Sequence, residues 1–546
     1  MPQAIVVVGA GPVGQTAALL LARWGVPVTV LDRRPARDPV GSKAICQQRD
    51  VLDVWASVGA SAIADEGLTW TTARTYLGER ELFAWTFAED GDSPLPPFVN
   101  ISQSRTEEIL DGRIAASDLV DVRWGHEVTG VVQDADGVTL TCANGAVLRA
   151  PYVVCCTGSR GGGLREALGL DFPGRTFDDQ FLICDIRAEL PGWESERRFY
   201  FDPAWNPGRQ VLIHPCPDSV FRIDWQVPPD FDLATEEASG GLDRRIRQIV
   251  GDRPYEIVWR SVYRFHSRMV DRMRVGRVLL AGDSAHVVAP FGARGLNSGV
   301  GDAENAAWKL AFVSRGWADE AVLETYHGER HAAAAENLDI TGATMRFLVP
   351  QDETEQAVRA ATLLAAAGDP ELAARTVDSG RLAEPFWYVD SPLTTPAPHR
   401  PFGGRPAKGQ LCVPAPGVIV PDVRVRVPGH DEPVRLREVV REGFTLLLAT
   451  AGGPVDPAAA PSTDHDDAWA ESLAAAARAA STAPVTVLRL DGHGAEADPA
   501  RPRDLPAVPG EAWLIRPDAH IAAILPDARA GDVTVAVRRA LARTGG

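Results

Sequence analysis

A short apolar run followed at once by a glycine-rich turn constrains the fold more than any other stretch of this chain. Residues 4–8 are continuously hydrophobic, and the next residues supply the spacing Gly9-x-Gly11-x-x-Gly14. A helical pattern follows over residues 15–24, and a second apolar run follows at 28–31. A strand, a tight turn, a helix and a strand in this order predict the start of a parallel α/β sheet buried on both faces.

The three glycines have separate roles in such a junction. Gly9 permits the tight turn, Gly11 lets a pyrophosphate approach the backbone, and Gly14 lets helix and strand pack closely. Fifty glycines in 546 residues give roughly 0.4 chance matches to the triplet, so the context decides between a ligand site and a plain turn. Asp32 ends the second strand, where a carboxylate can bind a ribose. The predicted dinucleotide contacts are Gly9, Gly11, Pro12, Gly14, Asp32 and Arg33.

A second loop with excess backbone freedom follows the apolar stretch VGRVLLA and precedes a helix. Asp283 stands at the strand end, where it can accept hydrogen bonds from a chain of hydroxyl groups. The amides that open the helix present N–H donors and the positive end of its dipole to a carbonyl. FAD meets both requirements and NAD does not, because FAD has a ribityl chain and a ring oxygen that gains negative charge on reduction. The predicted contacts are Gly282, Asp283, Pro290, Gly292, Gly295, Leu296 and Asn297.

The two stretches VVVGAGPVGQTAALLLARWGVPVTVLDRRP and GRVLLAGDSAHVVAPFGARGLNSGVGDAENAAWKLA resemble the FAD fingerprints of the class A flavoprotein monooxygenases. This is the para-hydroxybenzoate hydroxylase-like family, which includes phenol, hydroxyphenylpropionate and polyketide hydroxylases, and the resemblance covers residues 4–390. It implies that Asp283 binds the ribityl chain and that Pro290 lies beside the flavin ring. It also implies that Gly295, Leu296 and Asn297 hold the pyrimidine end of the ring.

Two further segments resemble the family less closely. ISQSRTEEIL is similar to the family segment Q-x-x-x-E-x-x-L, which implies that Gln103 contacts the ribityl or phosphate region of FAD. SKAICQQR implies that Lys43 or Arg49 lies near the pyrophosphate. In VVCCTGSRGGGLREALG, Gly158 and Arg165 match a family motif shared by FAD and NAD(P)H, but Thr157 replaces the usual acid. This replacement bears on the NAD(P)H contact and not on FAD binding.

The chain divides into four predicted parts. Residues 1–171 and 276–390 are expected to form a discontinuous Rossmann-like FAD-binding domain, and residues 172–275 an inserted, mostly antiparallel substrate-binding sheet. Alternation over residues 119–155 predicts antiparallel hairpins with a turn at Asp136-Gly137. The Pro-rich stretch 391–417 is expected to be a linker. Residues 418–546 are similar to the thioredoxin-like tail of the phenol hydroxylase branch but hold no CxxC, which favours packing or dimerisation over redox chemistry.

The inserted sheet is expected to cover the flavin and to supply the substrate contacts. Alternation in FRIDWQVP places Arg222, Asp224 and Gln226 on one face, which could equally face solvent. His214 lies on an otherwise apolar strand, so a core or edge role is the alternative to a functional one. The catalytic candidates are His214, Tyr263 and His266, and the substrate-pocket candidates are Tyr200, Arg222, Asp224, Trp225, Gln226 and Phe291.

The amino-acid composition restricts the kinds of molecule that the protein is expected to bind. A formal net charge of −18 disfavours nucleic acid and anionic membrane surfaces. The N-terminal stretch lacks the features of a signal peptide, and its apolar runs are too short to span a bilayer. Seven cysteines without metal-ligand spacing predict free thiols, a cytoplasmic location and no metal site. The expected partners are a small aromatic substrate and O2, with a homodimer as a further expectation.

The resemblance implies an FAD monooxygenase that hydroxylates a phenolic or other electron-rich (hetero)aromatic substrate. NADPH or NADH would reduce the flavin, and a flavin C4a-hydroperoxide would donate the oxygen. Two alternatives stay open: a Baeyer–Villiger or epoxidising monooxygenase that tailors a secondary metabolite, and a flavin-bound protein that does not turn over.

Overall fold

The computed structural model describes residues 3–38, 41, 44–86, 93–380, 382, 384–406, 412–425, 433–450, 464–490 and 505–543. The strands in this part of the chain are β1 (Ile5–Val8), β2 (Val28–Leu31), β3 (Cys46–Gln48), β4 (Thr72–Leu77), β5 (Arg80–Thr86), β6 (Phe98–Asn100), β7 (Val120–Arg123), β8 (Val128–Gln133), β9 (Val138–Cys142), β10 (Val147–Ala150), β11 (Val153–Cys155), β12 (Gly174–Ala188), β13 (Glu196–Phe201), β14 (Gln210–Cys216), β15 (Val220–Val227), β16 (Tyr255–Met269), β17 (Arg274–Val275), β18 (Val278–Leu280), β19 (His286–Val287), β20 (Arg424–Val425), β21 (Val434–Arg435), β22 (Phe444–Ala449), β23 (Val485–Leu490), β24 (Ala512–Ile515) and β25 (Ile521–Leu525).

The α-helices of the same residues are α1 (Pro12–Arg23), α2 (Arg49–Ala56), α3 (Ala62–Glu66), α4 (Gln103–Ala115), α5 (Gly162–Ala167), α6 (Leu233–Ala238), α7 (Gly241–Val250), α8 (Arg294–Ser314), α9 (Ala321–Leu348), α10 (Glu353–Ala366), α11 (Pro370–Thr376), α12 (Leu436–Val439), α13 (Asp464–Ala480) and α14 (Ala530–Ala540). Across the described ranges, no helix has an apolar stretch long enough to cross a lipid bilayer. Lys43 lies outside the described residues.

The first sheet has the strand order β17-β18-β11-β1-β2-β7. Strands β18, β11, β1, β2 and β7 run parallel, and β17 is an antiparallel edge. Every residue of β1, β2, β11 and β18 is buried. Helix α1 packs against this sheet, and α8 packs against α1. The predicted parallel α/β sheet is confirmed.

The prediction of antiparallel hairpins over residues 119–155 is correct for β8, β9 and β10 but wrong for β7. Strands β8–β10 form a three-stranded antiparallel sheet, with Asp136-Gly137 in the turn between β8 and β9. Strand β7 instead pairs in parallel with β2. It alternates because it lies at the sheet edge, where half-buried positions alternate with exposed ones.

An eight-stranded sheet with the order β19-β16-β12-β15-β14-β13-β4-β5 covers the first domain. Its pairings are antiparallel except that between β13 and β4. Strands β4, β5 and β19 come from outside the range 172–275, so the sheet takes up chain on both sides of the predicted insertion. One face packs on a core that includes Ile223, Trp225 and Ile246 of α7. The opposite face is therefore free to form the wall of a site.

The C-terminal part contains a four-stranded sheet with the order β23-β22-β24-β25. Strands β22 and β23 are parallel and the other pairings are antiparallel, with α13 and α14 packed against the sheet. This is a thioredoxin-like arrangement, as the sequence predicts. All seven cysteines of the chain are free thiols.

A buried charge network fastens this sheet to the helices of the first domain. The Glu329 carboxylate on α9 accepts hydrogen bonds from Arg516 at 2.6 and 3.0 Å and from Lys309 at 2.6 Å. Asn305 donates to it at 2.7 Å and Ser391 at 2.5 Å. Burial lowers the pKa of Lys309 to about 8, with Glu329 opposing that shift. The two cations therefore share the Glu329 carboxylate, and Arg516 also pairs with Asp518 at 2.6 Å.

Replacement of Glu329 tests this shared contact. In Glu329→Gln, Arg516 and Lys309 lose their shared anion inside the protein, and the free energy of unfolding should fall by about 3–5 kcal/mol. Urea unfolding at pH 7 measures the change. The exposed Glu471→Gln on α13 is the matched control and should change stability by less than about 0.5 kcal/mol. Equal stability of the two variants would contradict the role assigned to Glu329.

Candidate active site

A cavity of about 940 Å³ lies between the two glycine-rich loops of the first domain and the free face of the eight-stranded sheet. Its wall contains residues from both loops, from α4, from β12–β16 and from the segment around Ser379. The first-domain side is rich in backbone donors and acids. The sheet side is rich in aromatic rings, with a few ionisable groups.

In the first loop Gly9 and Gly14 are closely packed, whereas Gly11 faces open space. A Cβ added at Gly9 would lie 2.2 Å from the carbonyl oxygen of Cys156, and one at Gly14 would lie 1.9 Å from the carbonyl oxygen of Gly9. Gly9 also has a φ of +111°. At Gly11 an added Cβ would meet nothing within 4 Å. Gly9, Gly11 and Pro12 lie in the cavity wall, whereas Gly14 lies behind it and serves the packing of α1.

Asp32 lies in the wall and is already an acceptor. Its carboxylate accepts the Ala10 N–H at 2.8 Å, the Arg34 N–H at 2.9 Å and two bonds from the Arg34 guanidinium at 3.0 Å. Burial alone would raise the pKa of Asp32, but the hydrogen bonds from Arg34 and Ala10 outweigh it, and the pKa is lowered. Asp32 is thus ionised at neutral pH. Arg33 is exposed beside it, also in the wall.

Gln103 and Arg49 lie in the wall near the same loop. The Gln103 side chain accepts the Ala44 N–H at 3.2 Å and donates to Glu107 at 2.9 Å. The Arg49 Nε donates to the carbonyl of Leu95 at 3.0 Å. These bonds orient both side chains at the first residues of α4 and α2.

The second loop brings Asp283 and the first turn of α8 to the cavity. Asp283, Pro290, Gly292, Gly295 and Leu296 lie in the wall. The helix begins at Arg294, so the amides of its first turn have no carbonyl acceptor within the helix.

Gly282 and Asn297 lie outside the cavity wall. The Asn297 side chain accepts the Gln48 N–H and donates to the Cys46 carbonyl, each at 3.0 Å, so it fastens β3 to α8. Gly282 has a φ of +60° and donates its N–H to Asp302 at 2.9 Å.

Asp302 of α8 supports this loop from behind, and sequence reasoning missed it. One oxygen accepts from Gly282 and lies 2.7 Å from His286 Nε2; the other accepts Arg330 Nε at 2.7 Å. Burial would raise its pKa, but His286 and Arg330 lower it to about 2. Arg330 also donates to the carbonyl of Ser298 at 3.1 Å. The buried face of α8 also contains Asn305 and Lys309, so no signal in the sequence sets Asp302 apart.

Thr157 stands where the family motif has an acid, and its hydroxyl lies 2.9 Å from the hydroxyl of Ser284. Thr157 and Gly158 lie in the wall. Arg165 lies behind it and donates to the carbonyls of Ser284 and Ser159 at 3.2 and 3.3 Å. The middle motif is therefore tied to the second loop by neutral hydrogen bonds and one buried cation.

The sheet side contains part of the predicted set. His214, Tyr263, Arg222, Asp224 and Phe291 line the cavity. Sequence reasoning missed several other wall residues: Trp70, Trp85, Phe181, Arg197, Trp259, Ser261, Phe265 and Ser379. Trp259 and Phe265 share the inward face of β16 with Tyr263, whereas Arg197 lies on the inward face of β13, on which no residue was predicted. The pairing of strands, which the sequence does not show, was the missing information.

Four of the residues predicted on the sheet side do not line the cavity. Trp225 is fully buried in the core on the other face of the sheet. Tyr200 stacks on Tyr76, with ring centroids 4.7 Å apart. Gln226 has the inward orientation but donates to Asp179 at 2.5 Å, beyond the end of the cavity. His266 is partly exposed, and its Nδ1 lies 3.0 Å from Thr176.

Burial changes the titration of three wall residues. It holds the pKa of His214 well below its ordinary value, with Arg197 and Arg222 adding to the effect. It raises the pKa of Asp224 to about 7, against the opposing effect of Arg222. Burial, and then Asp283, raise the pKa of Tyr263. At neutral pH His214 is therefore uncharged and Tyr263 keeps its proton.

The first-domain side of the cavity fits FAD. The open space above Gly11 and the N-terminus of α1 suit a pyrophosphate, and the ionised Asp32 suits a ribose. Asp283 suits the ribityl hydroxyls, and the amides that open α8 suit the carbonyl end of the ring. All of these groups lie in the wall of one cavity.

The comparisons with known proteins agree with this fit. Residues 3–341 match the family described as the FAD binding domain. The rifampicin monooxygenase of Streptomyces venezuelae is 33% identical over 65% of this chain and 73% of that protein. The chain belongs to the family of FAD-dependent monooxygenases. FAD is its cofactor. A 3-(3-hydroxy-phenyl)propionate/3-hydroxycinnamic acid hydroxylase of Mycobacterium sp. is 28% identical over 90% of this chain and 82% of that protein.

Solved structures extend the likeness of fold to the whole chain. The flavin-dependent monooxygenase PieE, in complex with FAD and substrate, superposes with a TM-score of 0.80 at 21% identity, covering 100% of this chain and 99% of PieE. Aklavinone-11 hydroxylase, in a complex with FAD and aklavinone, has a TM-score of 0.75 at 24% identity, covering 99% of both chains. The C-terminal thioredoxin-like part is thus common to this monooxygenase architecture.

Replacement of Asp283 tests the second FAD loop. Asp283→Ala removes the acceptor offered to the ribityl chain, and the purified protein should be colourless or weakly yellow. The flavin-to-protein absorbance ratio measures retention. Asp271→Ala, an exposed acid outside the wall, is the control and should retain FAD. Full retention in Asp283→Ala would mean that the fingerprint is wrongly assigned.

Replacement of Asp302 tests the support of that loop. Asp302→Asn leaves Arg330 without its carboxylate and weakens the hold on Gly282, so the dissociation constant of FAD should rise about tenfold, equivalent to about 1.4 kcal/mol. Fluorescence titration of the apoprotein with FAD measures it. The exposed Asp339→Asn on α9 should match the wild type. An unchanged dissociation constant in Asp302→Asn would show that the loop holds its shape without this carboxylate.

Proposed function

We propose that this monooxygenase hydroxylates a phenolic or other electron-rich (hetero)aromatic ring, with NAD(P)H as reductant and O2 as oxygen source. One observation carries the proposal: three aromatic rings lie in the wall beside the first turn of α8. Phe181 and Phe265 stack with centroids 4.3 Å apart, and Phe291 meets them edge-on at 5.6 and 5.8 Å. Such a cluster suits a flat aromatic substrate.

Bound FAD, once reduced, supplies an electrophilic oxygen atom derived from O2. The chain's own residues hold the ring of the substrate against this end of the cavity and exclude water from it. Tyr263 keeps its phenol proton at neutral pH, so its Oη can donate a hydrogen bond to the substrate. The uncharged imidazole of His214 can accept a hydrogen bond from a phenolic hydroxyl and thereby increase the electron density of the ring.

The relatives support ring hydroxylation over the other oxygenations. Those named above include hydroxylases of hydroxyphenylpropionate and of aklavinone, and a monooxygenase named for rifampicin. Residues Gly158, Ser159 and Arg160 line the cavity beside Thr157, and we assign the approach of NAD(P)H to this side.

A second candidate is a flavin-bound protein that does not turn over. Thr157 in place of the usual acid favours it, as does the fold of a Diels–Alderase from pyrroindomycin biosynthesis, which has a TM-score of 0.64 at 25% identity over 96% of both chains. Consumption of reductant separates the two candidates.

We also propose a cytoplasmic location, which the seven free thiols support. A homodimer stays part of the proposal, and light scattering of the FAD-loaded protein measures it.

The hydroxylase proposal predicts substrate-stimulated turnover. The FAD-loaded protein should oxidise NADPH or NADH faster when a suitable phenol is added, consume O2, and yield a product heavier by one oxygen atom. Oxygen-electrode and mass-spectrometric assays over a panel of phenols measure this, with catalase present to remove peroxide. Asp283→Ala is the matched inactive control. Absence of stimulated oxidation with every ring compound would favour the non-turnover candidate.

A further inference from the structure

We propose that the sheet side of the cavity selects an aromatic substrate bearing an anionic oxygen group, and that Arg197 binds this group. The inference rests on the proposed function and specifies its substrate class. A row of side chains crosses the sheet, and one buried cation in this row, the guanidinium of Arg197, has no carboxylate in contact with it.

The row crosses five strands on the inward face. Trp259 of β16 pairs with Asp185 of β12, Asp185 pairs with Arg222 of β15, and Arg222 pairs with His214 of β14. On the antiparallel neighbour β13, Arg198 is the register partner of Ile213. The next pair along is therefore Arg197 and His214, and Arg197 ends the row. Arg197, His214, Arg222 and Trp259 all line the cavity.

The two arginines of the row have different partners. Arg222 is paired with Asp185 through two hydrogen bonds of 2.7 and 2.8 Å, and both side chains are buried. Arg197 donates to the carbonyl of Ser379 and, among the described residues, pairs with no carboxylate within 4 Å, although the more distant charges of Asp378 and Asp224 act to raise its pKa. It is 6% exposed. Burial lowers its pKa to about 10, so it remains a cation at neutral pH.

A buried cation without an anion is costly unless a ligand supplies the anion. Guanidinium N–H groups match the two oxygens of a carboxylate and also bind a phenolate. Arg197 lies in the same wall as Phe181, Phe265 and Phe291. A substrate that places its ring against these rings can therefore place an anionic oxygen at Arg197.

Two neighbouring groups also lack partners. The Nδ1 atom of His214 and the Oδ1 atom of Asp224 are buried, and neither has a hydrogen-bond partner in the described part of the chain. Asp224 lies one row further along, opposite Leu212 and Ile183. Because burial raises its pKa to about 7, its carboxyl group is protonated below that pH and can donate to an anion. The row thus offers donors to an acceptor-rich ligand.

The charges around Asp224 determine how this site responds to pH. Arg222 lies on its own strand, Asp185 on β12, Arg197 on β13 and the uncharged His214 on β14; β16 contributes Ser261 and Trp259, which do not titrate. Ionisation of Asp224 adds a negative charge that competes for Arg197. Anion binding should therefore be strongest below pH 7 and weaken as the pH rises through that value.

Matched ligand pairs test the proposal by binding alone. The probes are 4-hydroxybenzoate against its amide, 3-(3-hydroxyphenyl)propionate against its amide, and pentafluorophenol, which is mostly ionised at pH 6, against pentafluoroanisole. Each is titrated into the FAD-loaded protein at pH 6, and the change in flavin absorbance gives its dissociation constant. At least one acid should bind tenfold or more tightly than its neutral partner. The pairs that show the preference distinguish a carboxylate from a phenolate.

Variants assign the preference to its residue. Arg197→Met should abolish the preference for the acid, whereas Arg197→Lys should retain part of it. Arg198→Met is the matched control, because this neighbour points to the opposite side of the strand, where it donates to Glu196, and it should keep the full preference. In Asp224→Asn the preference should persist at pH 6 and should no longer fall between pH 6 and pH 8.

The outcomes separate this inference from the proposed function. An equal affinity for acid and neutral partner in every pair, or a preference that survives in Arg197→Met, would overturn the role of Arg197. If the acids bind through Arg197 but none stimulates oxidation of NADPH or NADH, the anion site stands and the hydroxylase proposal fails. If neutral phenols turn over and no acid is preferred, the hydroxylase proposal stands and the anion site fails.

Discussion

The carboxylate of Asp302 holds together the parts of the molecule on which the cofactor site depends. It joins the loop after β18, strand β19 and helix α9 through Gly282, His286 and Arg330. Three partners on one buried carboxylate fix the loop more firmly than turn geometry alone, since each would be left unsatisfied if the loop moved. The positions of Asp283 and of the first turn of α8 therefore depend on the hydrogen bonds to Asp302.

The cofactor half of the molecule was predictable from the sequence because it depends on local geometry. A side chain at Gly9 or Gly14 would collide with backbone, and Gly9 and Gly282 have a positive φ. Such positions require glycine, so the local sequence is enough to identify them. Asn297 also makes a contact that the motif does not reveal. Its amide at the start of α8 stays a predicted cofactor donor, but its side chain bonds to β3, some 250 residues earlier in the chain. No local pattern encodes that contact.

The substrate half was predictable only as far as the alternation of strands. Alternation placed Arg222 and Asp224 on one face, which the structure turns inward, but it could not say which strands are neighbours or where the cavity ends. Arg197 therefore went unnoticed beside His214, and Gln226 was included although it lies past the cavity. Tyr200 and Trp225 were predicted as pocket residues, but they pack in the core behind the sheet. Which residues line the cavity is determined by the pairing of strands that are distant in the sequence.

The first sheet also dictates the order in which the protein can mature. Strand β11 lies between β1 and β18, so the central strands of the sheet join residues 5–8 to residues 278–280. On the ribosome, the apolar β1 and β2 emerge long before the strand that completes their layer, and non-local pairing of this kind is slow and exposed to aggregation. The nascent chain thus needs protection until β18 has been synthesised. The flavin can therefore bind only late in biosynthesis, since its two binding loops come together only when that layer closes.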